Sequence, residues 1–342
     1  MKNIIIVFCC IVFVSCAEKK EMKPFSGIVV ETVYTDSLSI RAIELLEGSL
    51  GFAATKGVFG SVDLKSNNVM TNVQKYDTIF PEFRAVAHTD TDFFMLSIAR
   101  PALLYKTGDT GKLELVYKEE EASVFYDAMK FWNNNEGIAI GDSMNGCLSV
   151  IITRDGGKTW YKLPCSQLPE GIEGEGAFAA SNTNIAIVGD KTWIATTKGR
   201  IYFSGDKGKT WEIFRTPIAG LGDTHGIYSL DFFDGNLGFA IGGDYTKPQE
   251  NKKNKAITID GGKSWRLVAD DTEPGYKSCV QFVPMRSGNE LVAVGFTGIS
   301  YSKDKGETWT ELSEESFYTL RFLNDSIAYA AGKNRIAKLI FR

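Results

Sequence analysis

Four charged residues recur at one point of a repeated apolar stretch and are the plainest candidates for chemistry. The stretches begin near residues 38, 82, 124, 175, 227, 277 and 317. Aligning them places Arg41, Arg84, Asp127 and Glu175 at equivalent positions on consecutive repeats. The other three repeats carry Ser229, Cys279 and Thr319 there. Asp127 and Glu175 are the candidate catalytic residues, because adjacent carboxyl groups act as acid and base when one pKa is raised. The alternative is structural pairing of the carboxylates with the arginines.

Inserted polar loops supply three further candidates for ligand binding: His225, Asp244 and Tyr245. His225 precedes one of the aligned stretches, and the other two lie in a loop that lengthens the same repeat. Loops on a rigid scaffold often carry specificity. The alternatives are a turn-forming role for Asp244 and Tyr245 and a surface position for His225. Only two histidines occur, which excludes a His-rich metal site, and the sequence predicts neither a metal nor a cofactor.

The structural elements that would position these residues are marked by a repeated octapeptide of the form [S/T]-x-D-x-G-x-[S/T]-W. It occurs at 153–160, 204–211, 258–265 and 302–309, with a worn copy from Thr107 and a fainter one from Ser61. Its aspartates are separated by 46, 46, 51, 54 and 44 residues, a period typical of propeller blades. We expect the carboxylate to accept backbone N–H bonds across a tight turn and the tryptophan to pack beside it. The structural residues are Asp109, Asp155, Trp160, Asp206, Trp211, Asp260, Trp265, Asp304 and Trp309.

The repeats predict an all-β chain, a seven-bladed β-propeller of four-stranded antiparallel blades. The last repeat ends at Arg342 after its third strand, and an orphan strand at 27–34 can supply the fourth. Closure by this N-terminal strand would join the ends and remove two exposed sheet edges. The alternative is six blades with a loose strand.

The N-terminal residues have the pattern of a targeting signal. Residues 4–14 form an apolar run too short to span a bilayer but suited to a signal peptide. Ser15 before Cys16 is typical of a lipoprotein cleavage site, and the alternative is a plain signal peptide. We therefore expect a signal peptide at 1–15, a lipidated Cys16 with a charged tether at 16–26, and a single propeller at 27–342. The predicted location is the bacterial cell envelope, in the outer membrane, facing the periplasm or surface-exposed.

The net charge limits the classes of partner, and the cysteine content limits the possible disulfide bonds. The 38 basic and 42 acidic side chains give a formal net charge of −4, without the basic excess that neutralises phosphates, so nucleic acid is not an expected partner. Beyond Cys16 three cysteines remain: Cys147, Cys165 and Cys279. A bridge between the first two and three buried thiols are both compatible with the sequence.

The octapeptides, together with residues 125–132, 174–182, 242–248 and 275–278, make the chain resemble a known group. It is similar to Asp-box (BNR-like) propeller lipoproteins related to the photosystem II stability/assembly factor. Members are often loosely labelled oxidoreductase or sialidase-like. The resemblance implies the propeller fold and, by analogy, a role in binding or assembly. The sialidase arginine triad is not visible, and no dinucleotide-binding or Cys-x-x-Cys motif occurs.

The sequence therefore predicts a lipid-anchored envelope propeller acting as a non-catalytic binding or assembly scaffold. Its ligand would be an envelope protein or glycan, bound at the face of the central channel where the inner strands begin. The membrane would be a second partner, through the lipid on Cys16. The alternative is an enzyme at the same face, a sialidase-like glycoside hydrolase or an oxidoreductase.

Overall fold

We analysed a computed structural model of the chain, which describes residues 23–218 and 222–342. The described chain is almost entirely β-structure, with two single-turn 3₁₀ helices at Thr55–Gly57 and Cys165–Gln167. No helix in these two ranges is long and apolar enough to cross a membrane. The predicted signal peptide and Cys16 lie outside the described residues.

The strands form seven four-stranded antiparallel blades, which confirms the predicted fold class. Blade 1 contains the second half of β1 (Ile28–Leu46), β2 (Ser49–Ala54), β3 (Val58–Asp63) and β4 (Val69–Val73). Blade 2 contains β5 (Phe83–His88), β6 (Phe93–Ser97), β7 (Ala102–Thr107) and β8 (Leu113–Glu119). Blade 3 contains β9 (Tyr126–Phe131), β10 (Gly137–Met144), β11 (Cys147–Thr153) and β12 (Tyr161–Lys162). Blade 4 contains β13 (Ile185–Val188), β14 (Lys191–Ala195), β15 (Arg200–Ser204) and β16 (Glu212–Arg215).

The remaining three blades follow the same order. Blade 5 contains β17 (His225–Phe232), β18 (Gly238–Asp244), β19 (Lys255–Thr258) and β20 (Arg266–Leu267). Blade 6 contains β21 (Cys279–Phe282), β22 (Leu291–Gly295), β23 (Gly298–Ser302) and β24 (Thr310–Ser313). Blade 7 contains β25 (Thr319–Phe322), β26 (Ile327–Ala331), β27 (Lys333–Phe341) and the first half of β1. Apolar side chains of neighbouring blades form the core between them.

Strand β1 closes the ring, as the sequence predicts. Its first half pairs antiparallel with β27, from Ile28 opposite Phe341 to Thr35 opposite Arg335. After a register shift the same strand pairs with β2, beginning with Ile40 opposite Ala54. One strand thus serves as the outer strand of blade 7 and the inner strand of blade 1. No sheet edge is left open at the seam.

Blade 4 departs from the prediction. Its inner strand is not near residue 175 but at Ile185–Val188, and only four residues long. The preceding residues 178–184, here called the channel segment, leave the blade and bond to inner strands around the ring. Their partners include Val86 of blade 2, Met129 of blade 3, Leu230 of blade 5 and Thr319 of blade 7. The channel segment therefore occupies the central channel, because its polar groups satisfy inner-strand groups that face the axis.

The four complete octapeptides form one kind of turn. In the third blade Asp155 accepts hydrogen bonds from the backbone N–H and the hydroxyl of Thr159, at 2.9 and 2.6 Å. Asp206, Asp260 and Asp304 do the same with the residue four positions later. The worn copy behaves differently from the expectation: within the described ranges, the Asp109 carboxylate has no hydrogen-bond partner. Its turn lacks the Ser or Thr that would donate to it, since Leu113 stands there.

A disulfide joins Cys147 to Cys165, which selects one of the two arrangements left open by the sequence. Cys279 is a free, buried thiol in β21. The bridge fixes the 3₁₀ turn at Cys165–Gln167 onto the start of β11, at the outside of blade 3.

Candidate functional site

The channel has two ends, and the one where the inner strands begin is here called the mouth. Arg41, Arg84 and Asp127 each occupy a register irregularity in the inner strands of blades 1, 2 and 3. A bulge re-aims the side chain of the extra residue. The structure therefore brings these three predicted residues together at the mouth. In blade 5 the equivalent residue is Tyr228, not Ser229.

Asp127 is the most unusual member of the cluster. Its side chain is fully buried, and neither carboxylate oxygen has a hydrogen-bond partner among the described residues. Burial raises the pKa of Asp127 well above its ordinary value, and the nearby charge of Asp142 raises it further. The backbone N–H groups of Ala177 and Ala179 and the charge of Arg84 oppose this shift without reversing it. Asp127 is therefore a buried carboxyl group that the backbone N–H groups of Ala177 and Ala179 approach without forming a well-aligned hydrogen bond.

The two arginines are also incompletely partnered. Arg84 Nη1 donates to the carbonyl oxygen of Ala179 in the channel segment at 3.3 Å. The Arg41 guanidinium lies over the ring of Tyr318, 4.1 Å from its centroid. The Nε atoms of both arginines are buried without a partner in the described chain. Burial, and then repulsion from Arg41, lower the pKa of Arg84. Two cationic side chains with unused hydrogen-bond donors thus lie at the mouth.

Aromatic rings form the other half of the mouth. Phe178 of the channel segment stacks on Tyr228 with centroids 3.7 Å apart and planes within 2°. Tyr276 meets Tyr228 edge-on at 4.8 Å and packs against Phe296, which is 40% exposed. These contacts hold the rings in fixed orientations. The mouth therefore combines a charged side, from blades 1 to 3, with an aromatic side, from blades 5 and 6.

Glu175 does not join Asp127, and the predicted carboxylate pair is wrong. Glu175 is buried beside blade 4, with its Oε1 3.0 Å from Arg200 Nε and 2.8 Å from the hydroxyl of Thr196. Its Oε2 accepts from the Tyr202 hydroxyl and from the backbone N–H of Ile172. All this hydrogen bonding is local. Glu175 anchors the loop that leads into the channel segment, and it is not available for proton transfer at the mouth.

The loop candidates have separate fates. His225 is buried at the start of β17, opposite Asp244, and neither ring nitrogen has a partner in the described ranges. It is not at the surface. The Asp244 carboxylate accepts from the backbone N–H and hydroxyl of Thr246, a turn-forming arrangement. Tyr245 is 48% exposed and is the loop residue that a ligand can reach.

The alignment was one position out in blades 5 and 7, where Tyr228 and Tyr318, and not Ser229 and Thr319, correspond to the mouth residues of blades 1 to 3. The Ser229 hydroxyl accepts from Thr183 inside the channel, and the Thr319 hydroxyl donates to the carbonyl oxygen of Ser181. Cys279 is buried in blade 6. The sequence analysis also missed Asp142, Phe178, Tyr276 and Tyr318. The signal for two of them was available, since Tyr276 and Tyr318 stand shortly before the inner strands of blades 6 and 7.

The described residues contain no group of three or more His, Cys, Asp or Glu side chains placed to hold a metal ion. The channel face is thus built from one buried acid, two arginines and several aromatic rings. This chemistry suits hydrogen bonding to acceptors and stacking on flat or apolar groups.

Comparison with known proteins supports the fold. No protein-family model matches the sequence, and no curated protein matches it. Among solved structures, "YCF48 bound to D1 peptide" superposes with a TM-score of 0.66 at 13% identity, covering 93% of this chain and 96% of that one. "Streptogramin B lyase structure" gives 0.69 at 15% identity, covering 94% and 100%. "YCF48 from Cyanidioschyzon merolae" gives 0.62 at 13% identity, covering 93% and 99%. At these identities the likeness establishes the fold: the chain is a β-propeller similar to both.

Proposed function

We propose that this protein is a non-catalytic binding propeller of the bacterial cell envelope, anchored by lipid on Cys16, which holds a segment of a partner protein at the mouth. The observation that carries the proposal is the cluster of Arg41, Arg84 and Asp127. Its buried donors and carboxyl oxygens lack partners within the described chain. Buried polar groups are normally hydrogen-bonded, and the Arg41 and Arg84 side chains remain partly exposed, so a ligand that draws these two guanidinium groups into hydrogen bonds gains affinity.

The mouth favours a polypeptide ligand. The carbonyl groups of a peptide can accept from the arginines, and its side chains can stack beside Tyr245 and Phe296, each partly exposed. The channel segment blocks passage through the ring, so the ligand rests on the mouth and does not thread it. The printed name of one fold neighbour describes YCF48 as bound to a peptide, which agrees with this proposal at the level of the fold. The proposed relation to the Asp-box lipoproteins rests on the sequence motifs.

A glycoside hydrolase has less support. That alternative depended on Asp127 acting with Glu175, and Glu175 is held by Arg200, Thr196 and Tyr202. The carboxylate whose charge acts on Asp127 is that of Asp142, which accepts from the backbone N–H of Ala177, and Asp127 itself has no exposed surface. The two are therefore not placed to flank a glycosidic bond as the carboxyl pair of such enzymes does.

Site-specific crosslinking in the native envelope tests the proposal. A photo-crosslinking amino acid at Tyr245 is compared with the same group at Tyr161, which is also 48% exposed but lies on the outer strand of blade 3. We expect a discrete protein adduct from position 245 only, lost when Arg84→Gln is added. The same adducts from both positions, or an adduct at 245 that survives Arg84→Gln, would reject the mouth as the binding site.

A further inference from the structure

A groove of about 620 Å³ opens at the junction of blades 1 and 2. It lies on the face opposite the mouth, where the inner strands end and turn outward. Phe59 and Met70 of blade 1 and Phe93 of blade 2 supply its apolar walls, and Gly51 and Gly60 leave room between them. Met70 is 72% exposed, which is unusual for a large apolar side chain.

Strand register explains why the groove exists here. In blade 3, Ile152 pairs with Tyr161, so that Trp160 stands opposite Thr153, the first octapeptide residue. The registers of blades 4, 5 and 6 place their tryptophans in the same way. In blade 2 the pair is Thr107 with Leu113. The turn of blade 2 is one residue shorter than the others, so Leu113, which follows Asp109 by four residues as Thr159 follows Asp155, pairs where an indole stands in four other blades.

The indole fills the corresponding junction where it is present. Trp160 packs on Phe94 of the preceding blade and on Phe131 of its own, with centroids 6.3 and 5.7 Å apart. The octapeptide glycine beside it, Gly157, sits so close that an added Cβ would strike Phe94. An added Cβ on the matching Gly111 would meet no described atom within 4 Å. With leucine in place of the indole, the junction of blades 1 and 2 is left open.

The rim of the groove is acidic. Glu47, Asp90 and Asp92 line it, and its lining contains neither lysine nor arginine. Lys106, which is not part of the groove lining, forms an ion pair with Asp92 at 3.4 Å. The exposed Glu47 has no ion-pair partner within the described ranges. A cation beside an apolar group is therefore the complementary ligand.

We propose that this groove binds a tryptophan side chain of a partner polypeptide with a basic residue next to it. The partner would supply the indole that blade 2 lacks, stacked between Phe59 and Phe93 with its basic neighbour at Glu47. This site is separate from the mouth and does not depend on the function proposed there. The two faces would allow the propeller to hold two polypeptides at once.

The test titrates the full chain with the peptide acetyl-Lys-Trp-Lys-amide and follows the methyl signal of Met70 by NMR and the heat of binding. We expect saturable binding, weakened at least about tenfold by Leu113→Trp, which fills the groove from within, and by Met70→Ala. Leu113→Ile and Met285→Ala, an exposed methionine elsewhere, should leave the affinity unchanged. Met70→Ala decides the matter if Leu113→Trp does not fold.

Matched peptides separate the alternatives. Replacing the tryptophan with alanine should abolish binding, and acetyl-Glu-Trp-Glu-amide should bind at least about tenfold more weakly. Absence of saturable binding, or binding unchanged by both groove variants, would overturn the proposal. Tryptamine binding as tightly as the peptide would overturn it in favour of a small-molecule site. Arg84→Gln should not alter this titration, so failure here is distinguishable from failure at the mouth.

Discussion

The side-chain amide of Asn182 donates a 2.7 Å hydrogen bond to the carbonyl oxygen of Val86, which lies 96 residues earlier in the chain. Its oxygen accepts from the backbone N–H of Met129 at 2.9 Å. One buried side chain from blade 4 thus links the inner strands of blades 2 and 3 across the channel. A propeller otherwise joins each blade only to its neighbours, whereas the bond to Val86 joins blade 4 to blade 2, which is not next to it.

Asn182→Ala should destabilise the fold markedly, because two buried backbone groups lose their partners. We expect a loss of about 3 kcal/mol in the free energy of unfolding, measured by urea denaturation followed through tryptophan fluorescence. Asn68→Ala is the matched control, since Asn68 is exposed in the turn between β3 and β4. Equal effects of the two substitutions would show that the channel segment does not brace the ring.

The octapeptide turns make a paired prediction. Asp206 accepts from the backbone N–H groups of Lys209 and Thr210 and from two hydroxyls, whereas Asp109 accepts from no group in the described chain. Asp206→Ala should therefore cost about 2 kcal/mol, and Asp109→Ala less than about 0.5 kcal/mol. Thermal unfolding of both variants checks this. A large effect at Asp109 would contradict the open turn seen in blade 2.

The free energy of unfolding should fall as the pH rises from about 4 to 6, because the carboxyl group of Asp142 is buried. Burial raises the pKa of Asp142 from 3.8 to about 6, against a hydrogen bond from Ala177 that lowers it. Below the unfolded pKa the group is protonated in both states. Between the two pKa values only the folded state retains the proton, so raising the pH favours unfolding until the folded pKa is passed.

Asp142→Asn should remove this contribution and retain the acceptor for the Ala177 N–H, which lies 3.2 Å away. Between pH 4 and 7 the free energy of unfolding should fall by about 2–3 kcal/mol less in the variant than in the parent. Denaturation at several pH values measures the slope, and Asp223→Asn serves as the control, since the side chain of Asp223 is fully exposed. Parallel curves for parent and Asp142→Asn would refute the assignment.

Removing the bridge between Cys147 and Cys165 should weaken blade 3. The cysteines are 18 residues apart, and closing a loop of that length lowers the entropy of the unfolded chain by an amount worth about 3 kcal/mol. Cys165→Ser should lower the thermal midpoint, and a reductant should do the same to the parent but not to the variant.

The buried Cys279 should react with thiol reagents only on unfolding. A fast-reacting Cys279 would contradict its position in the core.

The sequence predicted the ring and its closure because both depend on repeated local patterns. Octapeptide spacing counts blades, and a missing last strand calls for a partner at the other end. It failed at residues 175–184, where an alanine- and glycine-rich stretch reads as a strand but has no neighbour with which to pair. The channel segment is selected by contacts from five blades, which periodicity in one blade does not reveal.

The site was predicted in part for a similar reason. Arg41, Arg84 and Asp127 share a bulge that keeps them in register, so alignment of the strands found them. Glu175 was misplaced with its strand, and the aromatic half was missed because its rings sit off the aligned positions, Tyr228 by one residue and Tyr276 by three. The groove depends on the pairing of Leu113 with Thr107, and a motif search reports only that a tryptophan is missing.

The first half of β1 enters blade 7 from the face opposite the mouth, because Ile28 pairs with Phe341 at the end of β27. If Cys16 carries lipid, as we propose, twelve residues separate the anchor from Ile28, at most about 40 Å when fully extended. The polarity of this one strand thus sets the orientation of a tethered ring. The mouth would look away from the bilayer, toward soluble partners, and the groove between blades 1 and 2 would look toward proteins at the membrane surface.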